Sequence, residues 1–493
     1  MPSRESQRVH LVGVSGTGMG ALAMLFREIG CEVQGSDLSF DPPIGPALEA
    51  AGVTCLRGYS AEHVAGDLDL VVVGNAIRRD NVEALAVVER GHRALSMSAA
   101  LREYFLAGRR PLVVTGTHGK TTTSSMCAWI FACAEFEPGY FIGGLPKNLP
   151  SGAAVGSQRR KIVGGSARPA PFVVEGDEYD SVYWHKQPKF FDYVGVGEDD
   201  VVIVTGTEHD HIDIYPDEAS YVAQFAELAR RVPESGLIVC DASQHLAVRT
   251  LQENARARLV FYALEGDDTG DLTPTWLAAH APIDSGGMQP FDLFVGGMSC
   301  GRFAMKSPGA HNVRNAVAAI CACAEGFGVS SGRARTALAT FEGVRRRQDL
   351  LGTPGGIHVY DDFAHHPTAV AETLTALRAK HHAEHPDGRL WAVFEPRSAT
   401  ACRALHQQAY ARAFSSADRV LFAPLGRANV PVAERLDLEL LAREIGDKAE
   451  AMPTIDAILE RLVAEARPGD SIALLSNGAF GGLHSRLLAR LTP

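Results

Sequence analysis

The sequence predicts an α/β protein built on parallel sheets. Short apolar runs rich in Val and Ile recur along the chain, and helical-looking segments separate them. An unbroken apolar strand suits a parallel sheet that is covered on both faces, and strands that alternate with helices indicate α/β architecture. The clearest strands are VHLVGV, LDLVVVGN, PLVVTG, FVVEGDE, VVIVTGTE, GLIVCDA, LWAVFEP, RVLFAPL and SIALLSN.

Length and two breaks divide the chain into three predicted domains. The chain has 493 residues, which is too many for one ordinary hydrophobic core. One break falls near AGRRP (107–111), and a second falls near FEGVRRRQDL (341–350), after an Ala-rich helical stretch. The predicted domains are 1–108, 109–338 and 339–493.

Composition excludes several classes of protein. Lys and Arg total 47 against 58 Asp and Glu, a net charge of -11, which argues against broad binding to nucleic acid. No apolar run approaches a membrane span, and the start MPSRESQRVH lacks the apolar core of a signal peptide. The nine cysteines form no CxxC pattern and are predicted to be reduced thiols. We expect a cytoplasmic protein, a monomer or weak homo-oligomer, with no nucleic-acid or membrane partner.

A glycine-rich turn follows the first strand. GVSGTGMG, residues 13–20, stands between that strand and the helical segment ALAMLFREIG. Glycines permit a tight turn and close backbone approach, and the helix N-terminus then faces an anion. The spacing is G-x-x-G-x-G rather than the dinucleotide pattern G-x-G-x-x-G. Asp37 ends the next strand, where a ribose or sugar contact is expected; an ordinary glycine turn is the alternative.

A second phosphate motif follows the strand PLVV. GTHGKTTT contains Gly116, Gly119, Lys120 and Thr121 and is two residues shorter than the common P-loop. Its backbone amides can cradle phosphate oxygens, Lys120 brings positive charge to the β- and γ-phosphates, and the Thr121 hydroxyl can ligate Mg²⁺. Two anion-binding loops predict two phosphate-bearing ligands, one of which is ATP.

Polar residues cluster at two later strand ends. FVVEGDEYDS presents Glu175, and VVIVTGTEHDHID presents His211, each with further acids nearby. Carboxyl ends of parallel strands share an edge with the P-loop. Oxygen ligands suit Mg²⁺, and one imidazole can join them. Glu175 and His211 are therefore predicted metal ligands, with solvated surface charge as the alternative.

Further clusters lie toward the C-terminus. SPGAHNVRNAVAAI places His311 and Asn312 at the mouth of an Ala-rich helix, VYDDFAHHPTAV ends a strand with His365 and His366, and WAVFEPRSAT ends another with Arg397. The double histidine alone suggests zinc. Adjacent histidines face different ways, however, and no HExxH or CxxC accompanies them, so the spacing argues against it.

These motifs, in this order, resemble the Mur ligases, the ATP-dependent amide-forming family of bacterial cell-wall synthesis. The match covers nearly the full length and includes GTHGKTTT, EGDEYD, TEHDH, PGAHNVRNA and DDFAHHPTAV. The resemblance implies an N-terminal Rossmann-like UDP-sugar domain and a central P-loop ATPase with a parallel sheet. It also implies a C-terminal Rossmann-like domain that binds the amino acid or peptide and closes over the site.

Within the family, EGDEYD, FEPRS and LLSNGAFGGLH most resemble the branch that joins UDP-N-acetylmuramate to the recycled tripeptide L-Ala-γ-D-Glu-meso-diaminopimelate. The runner-up branch adds L-alanine to the same nucleotide sugar and shares the HHP segment. The resemblance implies that the γ-phosphoryl group of ATP activates the sugar's carboxylate as an acyl phosphate, which the amine then attacks. A base takes the ammonium proton, with His209 and His365 as candidates.

The resemblance also implies a role for individual residues. Residues implied to hold the UDP-sugar are Ser15, Gly16, Thr17, Gly18, Met19 and Asp37. Residues implied to bind ATP are Gly116, Thr117, His118, Gly119, Lys120, Thr121, Thr122, His311, Asn312, Arg347 and Asp362. Residues implied to ligate Mg²⁺ are Thr121, Glu175 and His211. Residues implied to be catalytic are Lys120, Glu175, His211 and Arg347. Residues implied to contact the substrates at the C-terminal side are His365, Arg397 and Asn477.

Some features depart from the family pattern. Many relatives have Asn where this chain has Gly206, so any contact of that side chain is absent or replaced. Several carry a carbamylated lysine after the metal histidine, but no lysine occurs here between Lys189 and Lys306. The alanine-adding branch also lacks that lysine, which keeps the family open. The polar segment at 156–170 looks like an insertion.

Three other functions compete. A nicotinamide dehydrogenase explains the first glycine loop but not GTHGKTTT. A P-loop ATPase that acts as a switch explains Lys120 but not the C-terminal acid, histidine and arginine clusters. Folate polyglutamation, on a related fold, leaves the N-terminal domain without a task.

Overall fold

Three large sheets organise the molecule. The computed structural model describes residues 7–159, 161–163, 166–212, 214–427 and 430–492, with the side chains of 160–168 left out. The sheets have five, ten and six strands, with helices between successive strands. This confirms the predicted α/β class with parallel sheets, whereas the domain bounds given above stay a prediction.

The first sheet is wholly parallel, in the order β3-β2-β1-β4-β5. Its strands are β1 (Arg8–Val12), β2 (Glu32–Asp37), β3 (Thr54–Arg57), β4 (Leu70–Val73) and β5 (Ala94–Ser96). Its helices are α1 (Thr17–Glu28), α2 (Ile44–Ala50), α3 (Val82–Glu89) and α4 (Met97–Leu101), followed by a π-turn at Arg102–Leu106.

The central sheet has the order β19-β18-β17-β16-β15-β14-β6-β11-β7-β8 and is parallel except at its two edges. Its strands are β6 (Arg110–Thr115), β7 (Gly139–Phe141), β8 (Ala153–Ala154), β11 (Pro171–Glu175), β14 (Val201–Val204), β15 (Leu237–Asp241), β16 (Arg258–Leu264), β17 (Trp276–His280), β18 (Gln289–Val295) and β19 (Met298–Met305). Two small antiparallel pairs are β9 (Lys161–Val163) with β10 (Ser166–Arg168) and β12 (Asp180–Val182) with β13 (His185–Pro188). The helices are α5 (Lys120–Cys133), α6 (Glu218–Arg231), α7 (His245–Asn254), α8 (Ala310–Phe327) and α9 (Ser331–Ala339).

The third sheet has the order β20-β21-β25-β22-β23-β24, and only β20 is antiparallel to its neighbour. Its strands are β20 (Asp349–Gly352), β21 (His358–Asp362), β22 (Leu390–Phe394), β23 (Arg419–Phe422), β24 (Ala449–Ala451) and β25 (Ser471–Leu475). Its helices are α10 (Pro367–Glu384), α11 (Gln407–Ala413), α12 (Leu438–Ile445), α13 (Ile455–Glu465) and α14 (Leu483–Leu491). Single 3-10 turns in the chain are Ala61–Val64, Lys189–Asp192, Pro354–Gly356, Ala404–His406, Val432–Glu434 and Phe480–Gly482.

The central sheet brings three polar loops to one edge. β11, β6 and β14 are parallel neighbours, and their register pairs Glu175 with Val114 and Thr115 with Val204. These strands are almost entirely buried because their side chains are apolar on both faces. The loops that leave them therefore start side by side, and α5 begins at Lys120 directly after β6.

The first and central sheets share one hydrophobic core. Leu101 and Phe105 pack in the same buried cluster as Phe141 and Phe172. Hydrogen bonds stabilise the edge of this core, because Arg102 donates to three backbone carbonyls between 192 and 195. The glycine turn after β1 is thereby fixed relative to the central sheet.

The third sheet meets the central sheet through a short, polar connection. The Nζ atom of Lys147 lies 2.6 Å from the buried Asp349 Oδ1, and Val344 forms an isolated bridge with Pro146. The start of α10 also contacts the central sheet, because Thr368 Oγ1 donates to Glu208 at 2.8 Å. No helix among the described residues combines the length and apolarity needed to cross a membrane.

Candidate active site

A cavity of about 320 Å³ opens at the junction of the central and third sheets. The P-loop, the ends of β11 and β14, the start of α8 and the segment after β21 all line it. Of the residues predicted from the sequence, the following line it: Thr117, His118, Gly119, Lys120, Thr121, Thr122, Glu175, His211, His311, Asn312, Arg347, Asp362 and His365. The fold therefore gathers residues separated by more than 200 positions in the sequence.

Lys120 is held at the floor of the cavity by a buried carboxylate. Its Nζ donates to Glu178 Oε2 at 2.9 Å and to the carbonyl of Gly116 at 2.6 Å. Burial alone would lower the pKa of Lys120, but the carboxylates of Glu178 and Asp177 raise it by more. The ammonium thus stays charged and is aimed by two fixed acceptors, a geometry that suits a phosphate contact.

Thr121 and Glu175 form a hydroxyl–carboxylate pair beside Lys120. Thr121 Oγ1 donates to Glu175 Oε1 at 2.9 Å, and the Gly143 N–H donates to Glu175 Oε2 at 2.7 Å. The guanidinium of Arg347 reaches the same hydroxyl at 3.4 Å and stacks over the Phe363 ring, 4.9 Å from its centroid. A cation from the segment before β20 therefore enters the central site.

His211 lies on the other side of Glu178. Its Nε2 is 3.8 Å from Glu178 Oε2, and its ring lies 4.4 Å from that of Tyr179. Its φ of +57° is unusual for a residue other than glycine and holds the ring in this position. Burial would raise the pKa of Asp177, but the Lys189 ammonium at 2.8 Å lowers it to about 2.

The opposite wall of the cavity combines α8 with the turn before β20. Asn312 Nδ2 donates to the Pro308 carbonyl at 2.8 Å and to Gln348 Oε1 at 3.2 Å. Burial, and then Arg314, lower the pKa of His311 to about 4, so this imidazole is neutral near pH 7. A neutral, partly apolar wall of this kind suits a heteroaromatic base.

Asp362 at the end of β21 is buried but satisfied by the backbone. Its two carboxylate oxygens accept from the N–H groups of Gln348 and Ala364, each at 2.7 Å. Burial raises the pKa of this carboxyl despite those donors and the nearby Arg347. His365 also lines the cavity, and its Nδ1 lies 3.1 Å from the Phe363 carbonyl.

The glycine turn after β1 lies outside this cavity but close to it. Ser15 donates its N–H to Asp37 Oδ2 at 2.9 Å, so the acid at the end of β2 closes the turn. Gly16 and Thr17 are exposed at the start of α1, whereas the Met19 side chain is buried. A helix N-terminus favours anions, and the anion site at this one stays a prediction.

A short segment connects the two phosphate loops. A Cβ at Gly18 would lie 3.8 Å from Phe141 Cζ and 2.8 Å from Met97 Sδ, so the start of α1 lies close against α4 and β7. Two residues beyond Phe141, the Gly143 N–H contacts Glu175. Two residues of extended chain span at most about 7 Å. The glycine turn and the P-loop site are therefore neighbours.

Arg397 and Asn477 lie apart from the cavity. Arg397 packs its stem so closely on the turn after β25 that a Cβ at Gly478 would be 2.2 Å from Arg397 Cδ. Its Nη1 is 3.8 Å from Glu395 Oε1, and the buried Oδ1 of Asn477 lacks a hydrogen-bond partner. These residues share a polar end of the third sheet.

Several residues in or beside the cavity had no functional role predicted from the sequence. Glu178, which aims Lys120, gave only a weak signal as one of several acids after β11, and Asp213 from the next cluster lies outside the described residues. Arg314 pairs with Asp241 at 3.0 Å and with Asp267 at 2.5 Å, which fixes α8 against β15. Asp267 lies in the polar segment GDDTGDLTPT (266–275), whose composition is typical of a surface loop, and its partner Arg314 is 47 residues away.

Three family models match the chain. They describe the Mur ligase family catalytic domain at 8–109, the Mur ligase middle domain at 185–323 and the Mur ligase glutamate ligase domain at 346–478. The chain belongs to the Mur ligase family, whose members are ATP-dependent ligases that form carbon–nitrogen bonds.

Individual relatives cover almost the whole chain. The UDP-N-acetylmuramate–L-alanyl-γ-D-glutamyl-meso-2,6-diaminoheptandioate ligase of Escherichia coli (strain K12) is 35% identical, over 98% of this chain and 97% of the relative. The UDP-N-acetylmuramate–L-alanine ligase of Roseiflexus sp. (strain RS-1) is 34% identical, over 95% and 96%. The crystal structure of a murein peptide ligase from Psychrobacter arcticus 273-4 matches with a TM-score of 0.71 and 33% identity, over 98% of both chains.

Proposed function

We propose that this enzyme joins the carboxylate of UDP-N-acetylmuramate to the amine of L-Ala-γ-D-Glu-meso-diaminopimelate, in peptidoglycan recycling. The observation that carries the proposal is the convergence of Lys120, Thr121, Glu175 and Arg347 in one cavity beside the glycine turn. Two relatives named for this reaction, at 35% and 33% identity, support it. The motifs EGDEYD, FEPRS and LLSNGAFGGLH favour the same branch.

In this proposal, each of the three predicted domains binds one substrate. Residues 1–108 bind the UDP-sugar, residues 109–338 bind ATP, and residues 339–493 bind the peptide. The exposed amides at Gly16 and Thr17 hold the diphosphate, while Asp37 keeps the turn closed through Ser15. His311, Asn312 and Asp362 line the nucleoside end of the ATP site.

The residues beside Lys120 fit a hard divalent cation. Thr121 and Glu175 offer a hydroxyl and a carboxylate oxygen within 2.9 Å, and oxygen ligands suit Mg²⁺. His211 adds an imidazole behind Glu178. We assign Thr121, Glu175 and His211 to the magnesium site. A bound Mg²⁺ would neutralise phosphate charge there.

The main role of the protein's cationic side chains is to neutralise the negative charge of the two reacting groups. A carboxylate and a triphosphate repel each other, so phosphoryl transfer between them needs fixed positive charge on both sides. Lys120 supplies it from the central sheet, and Arg347 supplies it from the segment before β20. The resulting acyl phosphate hydrolyses in water, so the third sheet must shield it until the amine attacks.

A substrate comparison tests the proposal. Purified protein receives ATP, Mg²⁺ and UDP-N-acetylmuramate, with either the tripeptide or L-alanine as the amine, and phosphate release is measured. We expect turnover with the tripeptide and at most background with L-alanine. Turnover with L-alanine alone would assign the enzyme to the alanine-adding branch, to which several relatives of 29–35% identity belong.

A second experiment tests the peptide site. We assign Arg397 and Asn477 to the peptide's carboxylates because they occupy strand ends of the third sheet, outside the ATP cavity. Arg397→Ala should raise the Michaelis constant for the tripeptide at least tenfold and leave that for ATP within twofold. An unchanged constant for the tripeptide would refute this assignment.

A further inference from the structure

A group of metal-type ligands spans two domains at the rim of the cavity. We name the group of His118, Glu208 and His366 the interdomain triad. His118 belongs to the P-loop and Glu208 to the loop after β14, whereas His366 precedes α10 in the third-sheet region. One ligand atom from each lies within 4.8 Å of the others.

Glu208 is the centre of the interdomain triad. Its Oε2 lies 2.9 Å from His118 Nε2, and its Oε1 lies 3.9 Å from His366 Nδ1. Thr368, which is not part of the interdomain triad, also donates its Oγ1 hydrogen to Glu208 Oε1 at 2.8 Å and so orients the carboxylate. Burial would raise the pKa of Glu208, but these partners lower it to about 2, so it is an anion at pH 7.

His366 is the member of the interdomain triad whose buried ring nitrogens are left unsatisfied by the described residues. Its side chain is only 4% exposed, yet neither ring nitrogen has a hydrogen-bond partner among the residues that the structure describes. Buried polar groups almost always have partners, and leaving one unpaired costs about 1–3 kcal/mol. Burial and the neighbouring His118 lower the pKa of His366 to about 3, so its ring is neutral. A neutral imidazole with a free lone pair, aimed at a carboxylate, is a ready metal ligand.

The local spacing of the double histidine argued against zinc. That spacing does not reveal the distant residues that approach His366 in the folded chain. His365 and His366 do diverge: His365 faces the Phe363 carbonyl, whereas the His366 ring lies 4.9 Å from that of His118. The partners of His366 come from residues about 160 and 250 positions away, so no local spacing reveals them. The ring of His406 lies 4.7 Å from His366 on the other side, and its buried Nε2 is also unpartnered.

The donor set selects the kind of metal. Two imidazoles and one carboxylate match Zn²⁺, which takes three or four N, O or S ligands at about 2.0–2.2 Å. Mg²⁺ prefers six oxygens and suits this group poorly. Tetrahedral geometry places ligand atoms roughly 3.4 Å apart. The distances of 2.9 and 3.9 Å, each to a different oxygen of Glu208, lie within about 0.5 Å of that spacing, and all three ligand atoms lie within 4.8 Å of one another.

We propose that the interdomain triad binds one zinc ion and so clamps the C-terminal domain onto the ATP-binding domain. This inference goes beyond the ligase reaction and does not depend on it, because the binding can be measured without any substrate. A clamp across the two domains stabilises the closed arrangement. It should therefore inhibit turnover by slowing exchange of substrates and products.

The test uses the full chain, freed of metals and without Mg²⁺ or nucleotide. Zinc is titrated against a chromophoric chelator, and cobalt(II) serves as a spectroscopic probe of tetrahedral binding. We compare the wild type with His118→Asn and His366→Asn, which remove the imidazole but keep a polar side chain. Because the two histidines come from different domains, each variant should weaken zinc binding at the same site at least 30-fold and remove the cobalt signal.

A matched control lies in the same chain. His358, Glu384 and His385 form another group of ligand atoms within 4.8 Å, but all three belong to the third-sheet domain. His385→Asn should leave the interdomain site, its cobalt spectrum and the zinc-induced rise in melting temperature unchanged. Circular dichroism of the metal-free variants checks that each is folded.

Three results would overturn the proposal. They are the absence of a zinc site tighter than about 10 μM in the wild type, an unchanged titration in either His118→Asn or His366→Asn, and loss of the cobalt spectrum in His385→Asn. If ligase activity with the tripeptide is absent while zinc still binds as described, only the proposed function fails.

Discussion

At the scale of single residues, the buried contact of Lys120 with Glu178 organises the P-loop. Lys120 is fixed by Glu178 at 2.9 Å, and Glu178 is fully buried. Among the described residues, the next basic group beside Glu178 is the His211 imidazole, whose Nε2 lies 3.8 Å from Oε2. The carboxylate therefore sets where the ammonium points when a phosphate arrives.

Glu178→Gln should destabilise the central domain. The substitution removes the one carboxylate that is hydrogen-bonded to the buried ammonium among the described residues, which we expect to cost at least about 2 kcal/mol of unfolding free energy. The matched control is Glu227→Gln in α6, where the partner Arg231 is exposed and the loss should stay below about 1 kcal/mol. Urea unfolding followed by tryptophan fluorescence measures both. Equal losses would show that the buried contact contributes nothing special.

His311 should make stability depend on pH. Its pKa is about 4 in the folded chain because of burial, against about 6.5 when unfolded, so the unfolded state binds more protons between these values. Stability is fully present above pH 6.5 and falls as the pH drops toward 4, by about 2–3 kcal/mol.

A His311 variant isolates this effect. His311→Gln should flatten the fall in unfolding free energy between pH 7 and pH 4.5, whereas His280→Gln, at an exposed site on β17, should not. Urea melts at four pH values give the slopes. A slope in His311→Gln as steep as in the wild type would contradict the assignment.

At the scale of elements, glycine positions fix how the P-loop meets its neighbours. Gly119 has a φ of +80°, and a Cβ there would lie 2.3 Å from Asn315 Oδ1 on α8. Both the backbone conformation and the space require glycine, so the loop and α8 are in direct contact. The helix α5 can then begin at Lys120 with its amides open to an anion.

Gly119→Ala should damage both stability and ATP binding. We expect a loss of about 1–3 kcal/mol from the left-handed φ and the clash, with a weaker ATP affinity by at least tenfold. Gly332→Ala is the matched control, since nothing lies within 4 Å of that position in α9. There the substitution should stabilise by up to about 1 kcal/mol. Thermal melts and calorimetric ATP titration measure the pair, and similar results for both variants would be contrary to expectation.

Strands with continuous apolar runs were predictable, and others were not. β6, β11, β14 and β25 follow from Val- and Ile-rich runs, since their burial on both faces leaves a clear pattern. The edge strand β19 shows no such run because much of it is exposed, as MSCGRFAM illustrates. The segment predicted as an insertion at 156–170 contains the short pair β9 and β10, and parts of it lie outside the described residues.

At the scale of the whole molecule, the proposed active site lies where the central and third sheets meet. Arg347 comes from the segment before β20, yet it reaches Thr121 of the P-loop at 3.4 Å. Its neighbour Arg345 points away, with 61% of its side chain exposed. Arg347 thus reaches the central site, whereas Arg345, two residues earlier, lies at the surface.

Arg347→Ala should lower kcat far more than ATP affinity. A cation that stabilises transferring phosphoryl groups is worth about 10³–10⁵ in kcat, so we expect a loss of at least 100-fold. Arg345→Ala should change kcat by less than threefold. Steady-state phosphate release with all substrates present measures both. A loss in Arg347→Ala no larger than in Arg345→Ala would remove Arg347 from the catalytic set.

The sequence could predict the parts of the site but not their pairing. Strands that can be recognised from the sequence alone lead to Lys120, Glu175 and Arg397. The contacts of Lys120 with Glu178 and of His118 with Glu208 join loops 58 and 90 residues apart, and such pairings depend on sheet order. Strand order, in turn, is set by packing across the whole domain, which local patterns do not encode.

Transfer of oxygen from the sugar to phosphate tests the central claim most directly. UDP-N-acetylmuramate labelled with ¹⁸O in its lactyl carboxylate is incubated with enzyme, ATP, Mg²⁺ and tripeptide, and the released phosphate is analysed by mass spectrometry. If ATP seated at Lys120 phosphorylates that carboxylate, one labelled oxygen leaves with phosphate when the amide forms, and Lys120→Ala releases none while still binding the nucleotide sugar. Amide formation with unlabelled phosphate, or loss of sugar-nucleotide binding in Lys120→Ala, would contradict two separate loops that serve one phosphoryl transfer.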